Sequence, residues 1–221
     1  HWRGIHSSPF ASVGACRLPD VNRLIERLSS NDYKRTIMHG ASGVGKTSLL
    51  NAGLVPALEG RIMGARVAVP VVQKVYRDWQ GELEKRLKNG LHSQNQWLGT
   101  NSNLSESQLV QKQTKISTIL SQLKRAAEAH LLQILIFDQF EEFLFVAANQ
   151  SYRALFYEFL KSCLNLPFVK VSFSLREDYI HYLLEIENFN LDVIDNNILD
   201  RKIRYPLGNF SLEDARSVIQ K

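Results

Sequence analysis

Eight residues constrain this chain more than any others: Gly40-Ala41-Ser42-Gly43-Val44-Gly45-Lys46-Thr47 satisfies the pattern G-x-x-x-x-G-K-[ST]. They lie between a strand candidate, Thr36-Ile37-Met38-His39, and a helix-forming stretch from Thr47 to Leu58. That is the context in which such a loop cradles phosphate. Glycines reach positive φ and let backbone N–H groups approach an anion, and the following helix presents its positive end. Lys46 is placed to neutralise β and γ oxygens. Thr47 offers a hydroxyl to Mg²⁺, with Ser48 its substitute by register.

The rest of the chain supplies the layers such a loop needs. Residues 131–137 (LLQILIF) form a near-continuous apolar run, which suits a strand buried on both faces. Residues 66–75 are β-branched and strand-like, and Pro70 demotes them toward an edge or a bulge. Residues 168–175 alternate as a strand, and 203–207 are a last strand candidate. Helical spacing recurs at Val21, Leu24, Ile25 and Leu28, at Ile116, Ile119, Leu120 and Leu123, and at Leu155, Phe156, Phe159, Leu160 and Cys163. A further helix is expected over about 179–187. Residues 92–114 are rich in Ser, Asn, Gln and Thr and read as an exposed loop entering a helix near Ser105, where Ser105-x-x-Gln108 forms a capping box. Ser211-x-x-Asp214 opens another helix in the same way. Strands separated by helices at this spacing predict an α/β fold, a three-layer P-loop core with a mostly parallel sheet.

A phosphate loop needs an acid at the end of a neighbouring strand to hold Mg²⁺ from its far side. Asp138 follows the apolar run 134–137 and is that carboxylate. A hydrolytic site also needs a carboxylate that orients or deprotonates water. Gln139 cannot be a base, so Glu141 and Glu142 are the candidates, and a helical return of i+4 from Asp138 favours Glu142. Arg176 ends the strand candidate 168–175 and can sense a γ-phosphate, or instead pair with Glu177 or Asp178.

Composition narrows the class. The 221 residues are 44% apolar and 22% charged, which excludes a disordered chain. There is no window of 18 apolar residues and no signal-peptide pattern at the start, so no membrane partner and a cytoplasmic location are expected. Cys16 and Cys163 are far apart and point to a reducing compartment. A net charge of +5 is modest for this length, so nucleic-acid binding is not favoured. His1 in place of Met, and helix-like residues running to Lys221, lead us to expect a piece of a longer protein.

Taken in order, GASGVGKTSLLNAGLVPALEG, ILIFDQFEEFL, VSFSLREDYIHYLL and YPLGNFSLEDARSVI resemble the STAND class of P-loop NTPases, particularly the novel STAND branch with its D-Q-F-E-E signature. The resemblance implies a signalling switch whose closed ADP form becomes an ATP-bound, oligomerising form after a sensor region meets its trigger. It implies that Asp138 is the Walker B aspartate, Glu141 and Glu142 the downstream acids and Arg176 the sensor arginine. It also implies an N-terminal extension at 1–17, a nucleotide-binding core at 18–205 and the start of a helical lid at 206–221. Ala15 stands where members usually carry the arginine of a hydrophobic-Gly-Arg-Glu element near the adenine. The expected ligands are ATP or ADP with Mg²⁺. The sensor and effector regions expected beyond the lid are outside this sequence, so the isolated chain is expected to stay monomeric and hydrolyse ATP slowly. Two other functions remain open: a nucleic-acid-stimulated ATPase of loader or transposition type, using Arg201-Lys202-Arg204, and a degenerate P-loop scaffold.

Overall fold

The computed structural model describes residues 17–98, 115–147, 150–183 and 201–209. Helix α1 (Leu18–Ser29) leads into β1 (Arg35–Gly40), and the glycine loop passes into α2 (Lys46–Leu49), a π-helical turn (Leu50–Leu54) and α3 (Val55–Leu58). A short β2 (Ile62–Met63) precedes β3 (Arg66–Gln73), α4 (Trp79–Leu98), α5 (Lys115–Glu128) and β4 (Leu131–Phe137). Then come α6 (Glu141–Val146), α7 (Gln150–Asn165), β5 (Val169–Arg176), a 3₁₀ helix (Glu177–Leu183) and β6 (Arg204–Pro206). The sheet order is β2-β3-β4-β5-β1-β6, and every pairing except β2 with β3 is parallel.

Alternation along the strands builds two cores, one on each face. All seven residues of β4 are buried. Leu131, Leu135 and Phe137 face a core shared with Trp79, Leu83 and Leu87 of α4, Ile119 and Leu123 of α5, and Phe156, Phe159 and Leu160 of α7. Leu132, Ile134 and Ile136 face the other, with Val21, Leu24 and Leu28 of α1 and Leu49, Leu54 and Leu58 behind the loop. The expected three layers are therefore present. Fully burying each such aliphatic side chain contributes about 1.5–3 kcal/mol, so the sheet is fixed from both sides.

Four expectations need correction. Pro70 is not on an edge strand, because β3 lies between β2 and β4. Val67 donates its N–H to His130 on the β4 side and Ala68 to Arg61 on the other. By that alternation the nitrogen of Pro70 faces away from β4, beyond two-residue β2, where no ladder bond is lost. Residues 92–98 are helical, because α4 continues through Leu98, so the loop expected from 92 is not there. The helix over 47–58 is interrupted: Pro56 has no N–H for the carbonyl of Ala52 and its ring crowds that group, so the turn over Leu50–Leu54 widens. The segment after Arg176 is 3₁₀ rather than α-helical as far as Leu183. The helices expected from Ser105 and Ser211 begin outside the described residues.

Among the described residues no helix is long and apolar enough to cross a membrane. Cys163 is a free thiol, and burial pushes its pKa up, as expected of an inert core residue.

Candidate functional site

In an open parallel sheet, ligands gather outside the carboxyl ends of the strands, where the strand order reverses. Here the chain leaves β1 toward β3 and leaves β5 toward β6, on the opposite side of β1. Register puts Gly40 beside Arg176 and Phe137 beside Phe173, so the ends of β1, β4 and β5 share one rim. An open cleft of about 310 Å³ lies there. Ser42, Gly43, Gly45, Lys46, Thr47 and Ser48 line it from the loop, Asp138, Gln139 and Glu141 from the end of β4, and Ser174 and Arg176 from β5.

Gly43 and Gly45 have φ of 77° and 92°, a left-handed conformation that side chains disfavour. Gly40 is needed for space: a Cβ there would come within 2.5 Å of the Leu207 carbonyl oxygen. Lys46 opens α2, and its Nζ donates to the carbonyls of Gly40 and Ala41, each at 2.9 Å. Burial lowers the Lys46 pKa below the ordinary lysine value, Glu141 opposes this and Arg176 adds to it. Gly40, Ala41 and Val44 do not line the cleft; Val44 is buried beneath it.

Asp138 is wholly buried. Its Oδ1 accepts hydrogen bonds from the Thr47 hydroxyl at 3.3 Å and the Gln139 N–H at 3.0 Å. Its Oδ2 accepts none and faces the Lys74 ammonium at 3.7 Å, and Lys74 also donates to Asn51 at 3.1 Å. Tyr76 fixes the backbone by donating its hydroxyl to the Asp138 carbonyl at 2.6 Å. A buried carboxylate oxygen without a hydrogen-bond donor, one residue's reach from a hydroxyl, fits a hard divalent cation. No group of three or more His, Cys, Asp or Glu among the described residues could hold a metal. Thr47 and Asp138 fit the few protein ligands that Mg²⁺ takes, its shell being completed by phosphate and water.

The two glutamates part company. Gln139 has φ 52°, so the chain turns before helix α6 starts at Glu141, and an i+4 count from Asp138 does not apply. Phe140 and Phe143 anchor that helix, stacked at 5.2 Å in the aromatic core with Phe137, Phe156 and Phe173 around them. With those rings inward, Glu141 projects to the cleft, where its Oε2 accepts the Arg176 N–H at 3.3 Å. Glu142 is exposed and lies outside the cleft.

Arg176 reaches the cleft and is paired there with Asp178, Nη2 to Oδ2 at 2.5 Å, over the Tyr179 ring. Sequence reasoning did not single out Ser174, Lys74 or Arg17. Ser174 was detectable as a small polar residue two before Arg176, hence on the same strand face. Lys74 and Arg17 are tied to the site through residues distant in sequence, Asp138 for Lys74 and Val44 for Arg17, and the only local sign at Arg17 is its i,i+3 pairing with Asp20.

Chemically, the arrangement offers N–H groups and a lysine for phosphate, a hydroxyl–carboxylate pair for a divalent cation, a second carboxylate for water and a guanidinium paired with Asp178. The solved structures it resembles include a Walker-type ATPase of Pyrococcus abyssi, with TM-score 0.62 and 16% identity over 92% of this chain and 56% of that one. The Aeropyrum pernix ORC2 protein, solved as ADPNP–ADP complexes, gives TM-score 0.52 and 14% identity over 95% and 50%. The Aeropyrum pernix ORC1 protein, solved with DNA, gives TM-score 0.54 and 11% identity over 92% and 48%. At these identities the likeness shows the fold, and the chain spans about half the length of each. No curated protein matches the chain. The family model of Novel STAND NTPase 1 matches residues 14–221, nearly the whole sequence, and the chain belongs to that family of P-loop NTPases.

Proposed function

We propose that this chain is the nucleotide-binding part of a regulatory switch: it holds ADP in one state and ATP with Mg²⁺ in another, hydrolyses ATP slowly, and through that state controls self-association of a longer cytoplasmic protein. The observation that carries the reading is the gathering of Lys46, Thr47, Asp138, Glu141 and Arg176 in one cleft at three strand ends. Family membership supports the nucleotide, and the resemblance to STAND switches supports the regulatory role.

The loop residues that line the cleft, Ser42, Gly43 and Gly45 to Ser48, present backbone N–H groups to the α- and β-phosphates, and Lys46 exchanges its loop carbonyls for β and γ oxygens. Thr47 and Asp138 would hold Mg²⁺, which would neutralise charge developing on the phosphates. Glu141 orients the attacking water and accepts its proton. Arg176 leaves Asp178 for the γ-phosphate and thereby separates ATP from ADP. In this scheme residues 18–205 are the core, residues 206–221 begin a lid, and residues 1–17 are an extension. Turnover is slow because fast phosphoryl transfer uses an additional cation from a neighbour, worth about 10³–10⁵ in rate.

Calorimetry with ADP and ATP, light scattering and phosphate release test the reading together. We expect binding of both nucleotides, a monomer in either, and turnover below about 1 s⁻¹, the low end of ordinary enzymes. A chain that binds neither nucleotide is the scaffold instead. The nucleic-acid reading has one observation in its favour: Arg201 and Lys202 are exposed beside the edge strand β6. They enter β6 at its amino end, away from the phosphate cleft, and stimulation of phosphate release by DNA or RNA would select that reading.

Arg176→Ala is expected to weaken ATP about tenfold, what one charge-assisted hydrogen bond is worth, and ADP by much less. Asp178→Asn releases the guanidinium and should tighten ATP a few-fold without changing ADP; the exposed pair is weak, so the gain is small. Equal effects on both nucleotides in competition titrations would return Arg176 to a structural ion pair.

A further inference from the structure

We propose that Arg17 is a positioning residue for the phosphate loop, holding the Val44–Gly45 peptide so that its N–H points into the cleft; this rests on the nucleotide reading above. The Arg17 side chain is only 6% exposed. Its Nη2 donates to the Val44 carbonyl at 3.0 Å and to the Gly208 carbonyl at 2.8 Å, and its Nη1 pairs with Asp20 at 3.1 Å. Asp20 in turn accepts the Tyr205 hydroxyl at 2.5 Å, which, after burial, helps push the Tyr205 pKa up to about 12. A buried charge is costly without such partners, and this guanidinium has them at Asp20, Val44 and Gly208.

What it holds is a peptide flanked by two glycines. Val44 lies between Gly43 and Gly45, both left-handed and both short of the steric restraint a side chain gives. A trans peptide carries its C=O and N–H in opposite directions, and the described chain has no cis bond. With the Val44 oxygen drawn toward Arg17, the Gly45 N–H is aimed the other way, and Gly45 lines the cleft. The donor is oriented before any phosphate arrives, so binding does not have to order it.

The same guanidinium ties the loop to the segment after β6. Leu207 donates its N–H to the His39 carbonyl at 2.7 Å, and its own oxygen lies where a Gly40 side chain would go. The start of the loop leans on Leu207 and its far side is joined to Gly208 through Arg17. Movement of residues 207–208 therefore changes the phosphate loop.

Arg17→Ala, Arg17→Lys and Asp20→Asn in the full chain decide the matter, with ADP affinity from calorimetry, melting without nucleotide, and the ¹⁵N–¹H shift of Gly45. We expect Arg17→Ala to weaken ADP and ATP alike by about 10- to 10²-fold, the worth of a lost charge-assisted hydrogen bond, and to move the Gly45 resonance. Arg17→Lys, which keeps one charged donor, should fall between. Asp20→Asn, which removes the ion pair but leaves the donor to Val44, should lower the melting temperature while leaving ADP affinity within about two-fold. If Arg17→Ala and Asp20→Asn lower melting alike and neither changes ADP affinity, Arg17 is structural and the assignment falls. Should Arg17→Ala fail to fold, unchanged ADP affinity in Arg17→Lys overturns it equally. An unsubstituted chain that binds no nucleotide overturns the nucleotide reading and the assignment together, whereas normal binding with indifferent Arg17 variants overturns the assignment alone.

Discussion

Lys46→Ala is expected to lower ADP and ATP affinity by at least about 10²-fold, the effect of deleting one member of a partly desolvated charge pair, while the domain stays folded. The Lys46 ammonium is the cleft cation that reaches furthest into the loop, bridging the carbonyls of Gly40 and Ala41 at 2.9 Å each. Those bonds keep the side chain extended along the cradle, so little rearrangement is needed when phosphate oxygens replace them. Stability should suffer little. Lys46 belongs to neither apolar core, whose nearest members here are Val44, Leu49 and Leu50. The loss of two partly exposed hydrogen bonds costs about 1 kcal/mol or less, a shift of roughly 2–4 °C for a chain of this size. Calorimetric titration beside a thermal melt checks both halves. Unchanged nucleotide affinity in a folded variant removes the phosphate-site reading altogether.

The parts of this molecule that were legible in sequence are those fixed by short-range pattern. The loop motif, the apolar run of β4 and the acid that ends it all express themselves within a few residues, because glycine conformation, double burial and strand termination are local requirements. The helix from Lys115 and the helix around Phe156 follow from 3.6-residue spacing in the same way. What was not legible depends on neighbours distant in sequence. The polar stretch at 92–98 has no apolar stripe, yet it continues a helix whose buried residues Trp79, Leu83 and Leu87 are anchored further back. Pro70 gives a correct local warning, but the two-residue length of β2, which leaves its outer side open, is a property of the sheet. Lys74 and Arg17 look like ordinary surface cations until topology brings the ends of β3 and the entry to α1 against Asp138 and Val44. The i+4 count from Asp138 points to Glu142, but positive φ at Gln139 delays the helix, and it is Glu141 that lines the cleft.

That placement makes the largest kinetic prediction specific. Glu141→Gln is expected to reduce ATP turnover by about 10²-fold or more, the range for a removed general base, while Mg·ATP affinity stays within a few-fold; Glu142→Gln should turn over normally. The two substitutions remove the same charge from adjacent positions on one short helix, so a general change in potential or in helix stability would affect both. They differ in where the carboxylate points. Glu141 lines the cleft and touches the Arg176 backbone, the same residue whose side chain is proposed to report the γ-phosphate. Glu142 faces outward because Phe140 and Phe143 occupy the inward positions on either side of it. Asp138→Asn supplies the contrast. It keeps the shape but weakens the divalent ligand, so it should raise the Mg²⁺ concentration needed for ATP binding, a change that Glu141→Gln does not produce. Phosphate release and fluorescent-nucleotide titrations across a Mg²⁺ series separate the three variants. Normal turnover in Glu141→Gln with loss in Glu142→Gln would mean that α6 rotates when nucleotide binds, carrying Phe143 out of its stack. Loss in neither would mean that neither glutamate accepts the proton and that neutral polar groups of the cleft, such as Gln139, orient the water.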